Sequence, residues 1–176
     1  IEMVQNPNYE RFDTIGLNYR MPQIVAAVCY AQLKNAKNIV NKRRKVAEIF
    51  RKQIKNCNWL IEQKTPNNTV HSHYTFSVKF LKDKLNSKIA WKTFYKKYKN
   101  FKGDGFYGAC VPPHLEPPLK KYLKRKNFKV PKLINAEKIQ KQIMQFKTNY
   151  RNLKEARQKS LILKRTIDFF DKKYAK

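Results

Sequence analysis

The chain has 176 residues, 41% of them hydrophobic, with two Trp, ten Tyr and eleven Phe, which suits one domain with a modest core and excludes a disordered chain. Its longest apolar run, Ile24 to Ala31, is far too short for a membrane span, and Ile1 to Asn6 lacks the basic and apolar parts of a secretory leader. Forty Lys plus Arg against twelve Asp plus Glu give +28, which alone points to nucleic acid or another polyanion; but the positives are spread over every segment and Lys far outnumbers Arg, so an anion-friendly surface is expected rather than a specific nucleic-acid site.

Residues 1–15 are polar and irregular, with a turn at Asn6-Pro7-Asn8. Gly16 to Pro22 is a polar turn feeding a helix over 22–35, on which Ile24, Ala27, Val28 and Ala31 form an apolar stripe. Cys29 sits on that stripe and is expected in the core. Before the helix, Asn18, Tyr19 and Arg20 gather an amide, a phenol and a guanidinium, a group that can meet phosphate or carboxylate, or form an ordinary Asn turn with a surface Arg. A second helix over 36–55 turns Ile39, Val46, Ile49, Phe50 and Ile54 inward. Trp59 to Ile61 reads as a short strand.

His71 to Phe80 alternates as a strand, with Tyr74, Phe76, Val78 and Phe80 on one face and His73, Thr75, Ser77 and Lys79 on the other. His71 and His73 share the polar face, but no Cys or acidic side chain is near in sequence, so no metal site is expected. Asn86 or Ser87 caps the next helix, whose Trp91, Phe94, Tyr95 and Tyr98 repeat at helical spacing and belong to the core.

Three of the four glycines lie between 103 and 108, followed by the proline-bounded run Pro112 to Pro118. This is a shaped loop; without a strand–turn–helix context its Gly103-x-Gly105-x-x-Gly108 spacing is no dinucleotide fingerprint. Leu119 to Lys126 is a short basic helix, Asn135 caps another, Met144 to Lys147 is a strand, and a last helix runs from about 152 to 174. One α+β domain results, a two- or three-stranded antiparallel sheet with helices on one face. Three widely spaced cysteines form neither a CxxC motif nor a disulfide framework and fit a reducing cytoplasm.

Gly16-Leu17-Asn18-Tyr19-Arg20-Met21 with the following Ala26-Ala27 and Gln32-Leu33 resembles a segment of the DegT/StrS family of pyridoxal-phosphate-dependent sugar aminotransferases. The resemblance continues in order through Arg43-Arg44, Ala47, Trp91 to Tyr95, Gly103 to Cys110, Leu115-Glu116-Pro117, Ala136-Glu137 and Met144 to Arg151. It implies the C-terminal small domain of a fold-type I transferase: 1–21 the end of the large domain, 22–57 connecting helices and 58–176 the small domain. It further implies pyridoxal 5'-phosphate as cofactor, a homodimer with shared sites, glutamate as amino donor and a nucleotide-linked keto-sugar as substrate.

On that resemblance Asn18 and Arg20 are cofactor-phosphate or substrate-phosphate residues, and His73, Tyr107, His114 and Glu116 are substrate neighbours. An ordered loop is an equal reading of the last three. The lysine that carries the cofactor lies upstream of this segment in the family, so no catalytic residue is assigned; Lys102, before Gly103-Asp104-Gly105, stands in the small-domain position and is not that lysine. The alternatives are a basic nucleic-acid-binding domain and an inactive dimerisation remnant.

Overall fold

The structure is a computed structural model that describes residues 20–85, 89–130 and 132–174. It divides into two units, residues 1–36 and 37–176.

In the first unit, helix α1 spans Gln23–Lys34, with Pro22 at its N-cap position. None of its residues is buried. Ile24 is 77% exposed and Leu33 70%. Cys29, expected in a core, is exposed as well. The stripe is present, and among the described residues none of it is buried.

The second unit holds the rest: α2 (Ala36–Ile54, its first residue in the first unit), β1 (Leu60–Glu62), β2 (Thr75–Phe80), α3 (Trp91–Asn100), β3 (Tyr107–Gly108), α4 (Pro117–Arg125), α5 (Ile134–Gln140), β4 (Ile143–Lys147) and α6 (Leu153–Tyr174). Short 3-10 turns lie at Lys82–Lys84 and Pro113–Leu115. The sheet has four antiparallel strands in the order β1-β2-β4-β3, more than the two or three expected from sequence. The extra strand is β3, two residues long, which no alternating pattern could reveal.

The register of β2 on β4 sets Phe76 opposite Phe146 and Val78 opposite Met144, so both strands turn their apolar side chains to one face. Against that face pack Val46, Ala47, Phe50 and Ile54 of α2, Phe94 and Tyr98 of α3, and Leu163, Ile167 and Phe170 of α6. Phe50 is fully buried, its ring near those of Phe76, Phe146 and Tyr150. Trp59 closes the cluster against Phe80, Phe94 and Phe170, and its indole N–H donates to Asp171 Oδ1 at 2.6 Å. Burying rings of this size contributes about 1.5–3 kcal/mol each.

Local chemistry sets the helix ends. Asn152 Oδ1 accepts from the Glu155 N–H at 2.9 Å and starts α6. α3 starts at Trp91 with Ala90 at its cap position; Asn86 and Ser87, the caps expected from sequence, lie outside the described residues. Leu133 occupies the cap position of α5 and Asn135 lies inside the helix; the Glu137 carboxylate takes over, accepting from the Leu133 N–H at 3.1 Å. The α3-to-β3 loop passes so close to Tyr98 that a Cβ on Gly103 would sit 2.5 Å from its ring, which accounts for glycine there.

β2 is shorter than the alternation suggests. It begins at Thr75; Tyr74 lies outside it and is 77% exposed rather than pointing inward with Phe76. His73 adopts a left-handed backbone (φ 50°), which breaks the alternation before the strand and buries its ring instead of leaving it on a polar face.

Candidate functional site

The C-terminal end of β4, the start of β2 and one turn of α2 enclose a cleft of about 240 Å³, lined by Arg43, Tyr74, Thr75, Gly105, Tyr107, Lys147 and Asn149. The pairing of Thr75 with Lys147, and of Tyr107 with Gln145, brings three strands to one mouth.

Arg43 spans the gap between α2 and the sheet. Its Nη1 donates to the Tyr74 carbonyl at 2.9 Å and to Thr148 Oγ1 at 3.3 Å, and the guanidinium lies 5.6 Å from the centre of the Tyr74 ring. Thr148 is buried, and its hydroxyl is shared between the carbonyls of His73 at 2.6 Å and Tyr74 at 3.0 Å. One buried hydroxyl thus ties the strained His73 turn to β4 and anchors Arg43.

Lys147 is positioned by Asp104. Its Nζ stands 3.2 Å from Asp104 Oδ2, an ion-pair contact, while Lys159 approaches Oδ1 at 3.3 Å and donates to the Lys102 carbonyl at 2.9 Å. Burial alone would push the Asp104 carboxyl up; the Tyr150 hydroxyl and the two ammonium groups outweigh it and hold it below the usual carboxylate range. Burial also raises the Tyr98 and Tyr150 phenols well above their ordinary value, with the nearby Asp104 charge acting in the same direction, so both stay neutral. Lys147 further lies over the Tyr150 ring at 4.6 Å.

The His71 and His73 rings stack with centroids 4.0 Å apart. The His73 backbone N–H donates to His71 Nδ1 at 2.8 Å, so that nitrogen carries no proton. Burial first, then the neighbouring His71 and Arg51, lower the His73 pKa and keep its imidazole neutral. Among the described residues no group of His, Cys, Asp and Glu can hold a metal ion.

The residues singled out from sequence divide sharply. Tyr107 lines the cleft and is 69% exposed. His73 supports the cleft through its carbonyl, not its ring. His114 is buried, its Nε2 3.2 Å from Glu137 Oε1, and Glu116 is exposed at the cap position of α4; neither lines the cleft. Arg20 is exposed three residues before α1, and Asn18 lies outside the described residues. Sequence reasoning passed over Arg43, Lys147 and Asn149 as site residues; their only signal was that they fall within blocks carrying the family resemblance.

Two cations, three hydroxyl-bearing side chains and an amide line this cleft, a donor set suited to phosphate or another anion. At about 240 Å³ it falls below the roughly 300–1,000 Å³ of complete small-molecule sites. The class of protein is therefore an α+β domain with a small cationic cleft at one end of its sheet.

Over residues 2–164 the sequence matches the DegT/DnrJ/EryC1/StrS aminotransferase family, and the chain belongs to that family. It is 36% identical over 67 residues to GDP-perosamine synthase of Escherichia coli O157:H7 and 32% identical over 66 residues to that of Vibrio cholerae, each match covering 38% of this chain and 18% of the relative. In fold it is similar to Helicobacter pylori PseC, an aminotransferase involved in pseudoaminic acid biosynthesis (TM-score 0.70, 16% identity, 94% of this chain and 43% of that one). It is likewise similar to the E. coli GDP-4-keto-6-deoxy-D-mannose-3-dehydratase with bound hydrated PLP (TM-score 0.65, 22% identity, 87% and 38%). The chain thus spans less than half the length of these relatives.

Proposed function

We propose that this chain is the C-terminal part of a pyridoxal-phosphate-dependent enzyme that transfers an amino group from glutamate to a nucleotide-linked keto-sugar. The observation that carries the reading is the Arg43–Lys147 cleft in a small domain of this family: an anion-binding wall too small to be a whole site. Its role is to bind and orient the charged part of the substrate. Arg43 presents a guanidinium fixed by two acceptors, and Lys147 an ammonium fixed by Asp104, so both charges are in place before the substrate arrives. The curated relatives are named for a GDP-linked amino sugar, which supports a nucleotide-sugar substrate.

The cofactor supplies an electron sink when bound, and the lysine that anchors it comes from outside these 176 residues. Asn18 and Arg20 contact its phosphate or the substrate's. The apolar, fully exposed surface of α1 supports a homodimer with shared sites, because a helix apolar on most sides is normally covered.

The test is the mass and cofactor content of the protein from its native source, together with turnover. A longer polypeptide that retains reducible, lysine-linked pyridoxal phosphate and forms 2-oxoglutarate from glutamate in the presence of a nucleotide keto-sugar establishes the reading. A product of this length with no cofactor and no partner chain supplying one overturns it.

A further inference from the structure

At the opposite end of the sheet lies a second, larger groove of about 500 Å³, within the size range of small-molecule sites. Phe80 ends β2 there and Gln142 precedes β4, whereas Thr75 and Lys147 at the other ends of those strands line the Arg43 cleft. Five residue steps along β2 separate the two by on the order of 17 Å.

Its lining has two parts. The apolar part is formed by Phe80, Ile89, Trp91 and Ile134. Trp91 is held in place: the β3 backbone approaches so closely that a Cβ on Gly108 would lie 2.8 Å from its Cζ2, and the Phe106 ring packs 6.0 Å away. The indole is only partly buried and presents a rigid aromatic wall.

The charged part comprises the exposed ammonium groups of Lys82, Lys132, Lys138 and Lys141. Two carboxylates, Asp83 and Glu137, also line the groove. Glu137 is already engaged by His114 at 3.2 Å and by the Leu133 N–H at 3.1 Å. Among the described residues, no ion pair occupies Lys82, Lys138 or Lys141. A fixed aromatic surface beside several uncompensated cations fits a flat ring that carries an anionic group.

We infer that this groove is a second ligand site, separate from the Arg43 cleft, that binds nucleoside phosphates with the base against Trp91 and the phosphate among Lys132, Lys138 and Lys141.

The two tryptophans make this directly measurable. Trp59 is 1% exposed in the core, so a ligand in the groove reports through Trp91. Titration of the full chain with GMP, followed by tryptophan fluorescence and by calorimetry, is expected to show saturable one-to-one quenching; guanosine or inorganic phosphate alone binds more weakly. The double variant Lys138→Glu/Lys141→Glu alters only exposed, unpaired side chains, so its circular dichroism and melting should match those of the parent. Its GMP affinity is expected to fall by about tenfold or more, each tenfold being about 1.4 kcal/mol. Trp91→Phe should abolish the quenching while calorimetry still detects binding. The inference is overturned if calorimetry finds no saturable GMP binding up to about 5 mM, weaker than the millimolar range in which even poor specific sites operate. It is equally overturned if the charge reversals leave the affinity unchanged.

Discussion

Helix α1 and helix α2 are neighbours in sequence and each carries apolar residues at helical spacing, yet they have opposite fates. Val46, Ala47 and Phe50 of α2 are wholly buried under the sheet, while every residue of α1 is exposed. Both have helical spacing, but burial needs a second surface, and among the described residues the sheet supplies one for α2. The difference teaches that an apolar stripe reports the need for a partner, not where the partner is.

The comparison breaks most visibly in the core. Phe50→Ala removes a ring that touches Phe76, Phe146 and Tyr150 and should destabilise the chain by about 3–5 kcal/mol, measured by urea unfolding. If the midpoint hardly moves, α2 is not the helix that organises the core.

Next in size is Asp104→Asn. It removes the charge that holds Lys147 and Lys159, and a loss on the order of 1 kcal/mol is expected near neutral pH. The sign of its pH dependence follows from the depressed carboxyl: the folded form binds the proton less readily than the unfolded one. The stabilisation is therefore complete above the usual carboxylate range and is lost as pH falls through the folded value. Wild type and variant should converge in acid, as thermal melts across pH will show; a gap that stays constant or widens on acidification would contradict the ion-pair account.

The smallest effect is expected in α1. Ile24→Ser, at a position 77% exposed, should change the stability of this chain by no more than about 0.5 kcal/mol. On the proposed homodimer reading, the same substitution should weaken self-association, read by sedimentation. A large loss in the isolated chain would mean that α1 is already covered there.

Much of the fold was legible in the sequence because period-2 and period-3.6 patterns survive wherever one face is buried: Phe76, Val78 and Phe80 in β2; Phe94 and Tyr98 in α3; Leu163, Ile167 and Phe170 in α6. The site was legible only in part. Tyr107, singled out from sequence, lines the cleft, whereas Arg43 and Lys147 look like any other cations in a chain with forty of them. What distinguishes them is an acceptor pair formed by the Tyr74 carbonyl and Thr148, and an aspartate from a distant loop. The contact of His114 was not legible for the same reason, since its partner Glu137 lies 23 residues away in another element.

By itself, then, the sequence determined the secondary elements, the α+β class, the core faces and the family, because each is written in short-range periodicity or in ordered motifs. The tertiary structure alone decided that a two-residue β3 completes the sheet, that His73 turns left-handed before β2, and which cations become fixed charges. Those outcomes depend on hydrogen bonds and ion pairs between residues far apart along the chain, which local patterns do not encode.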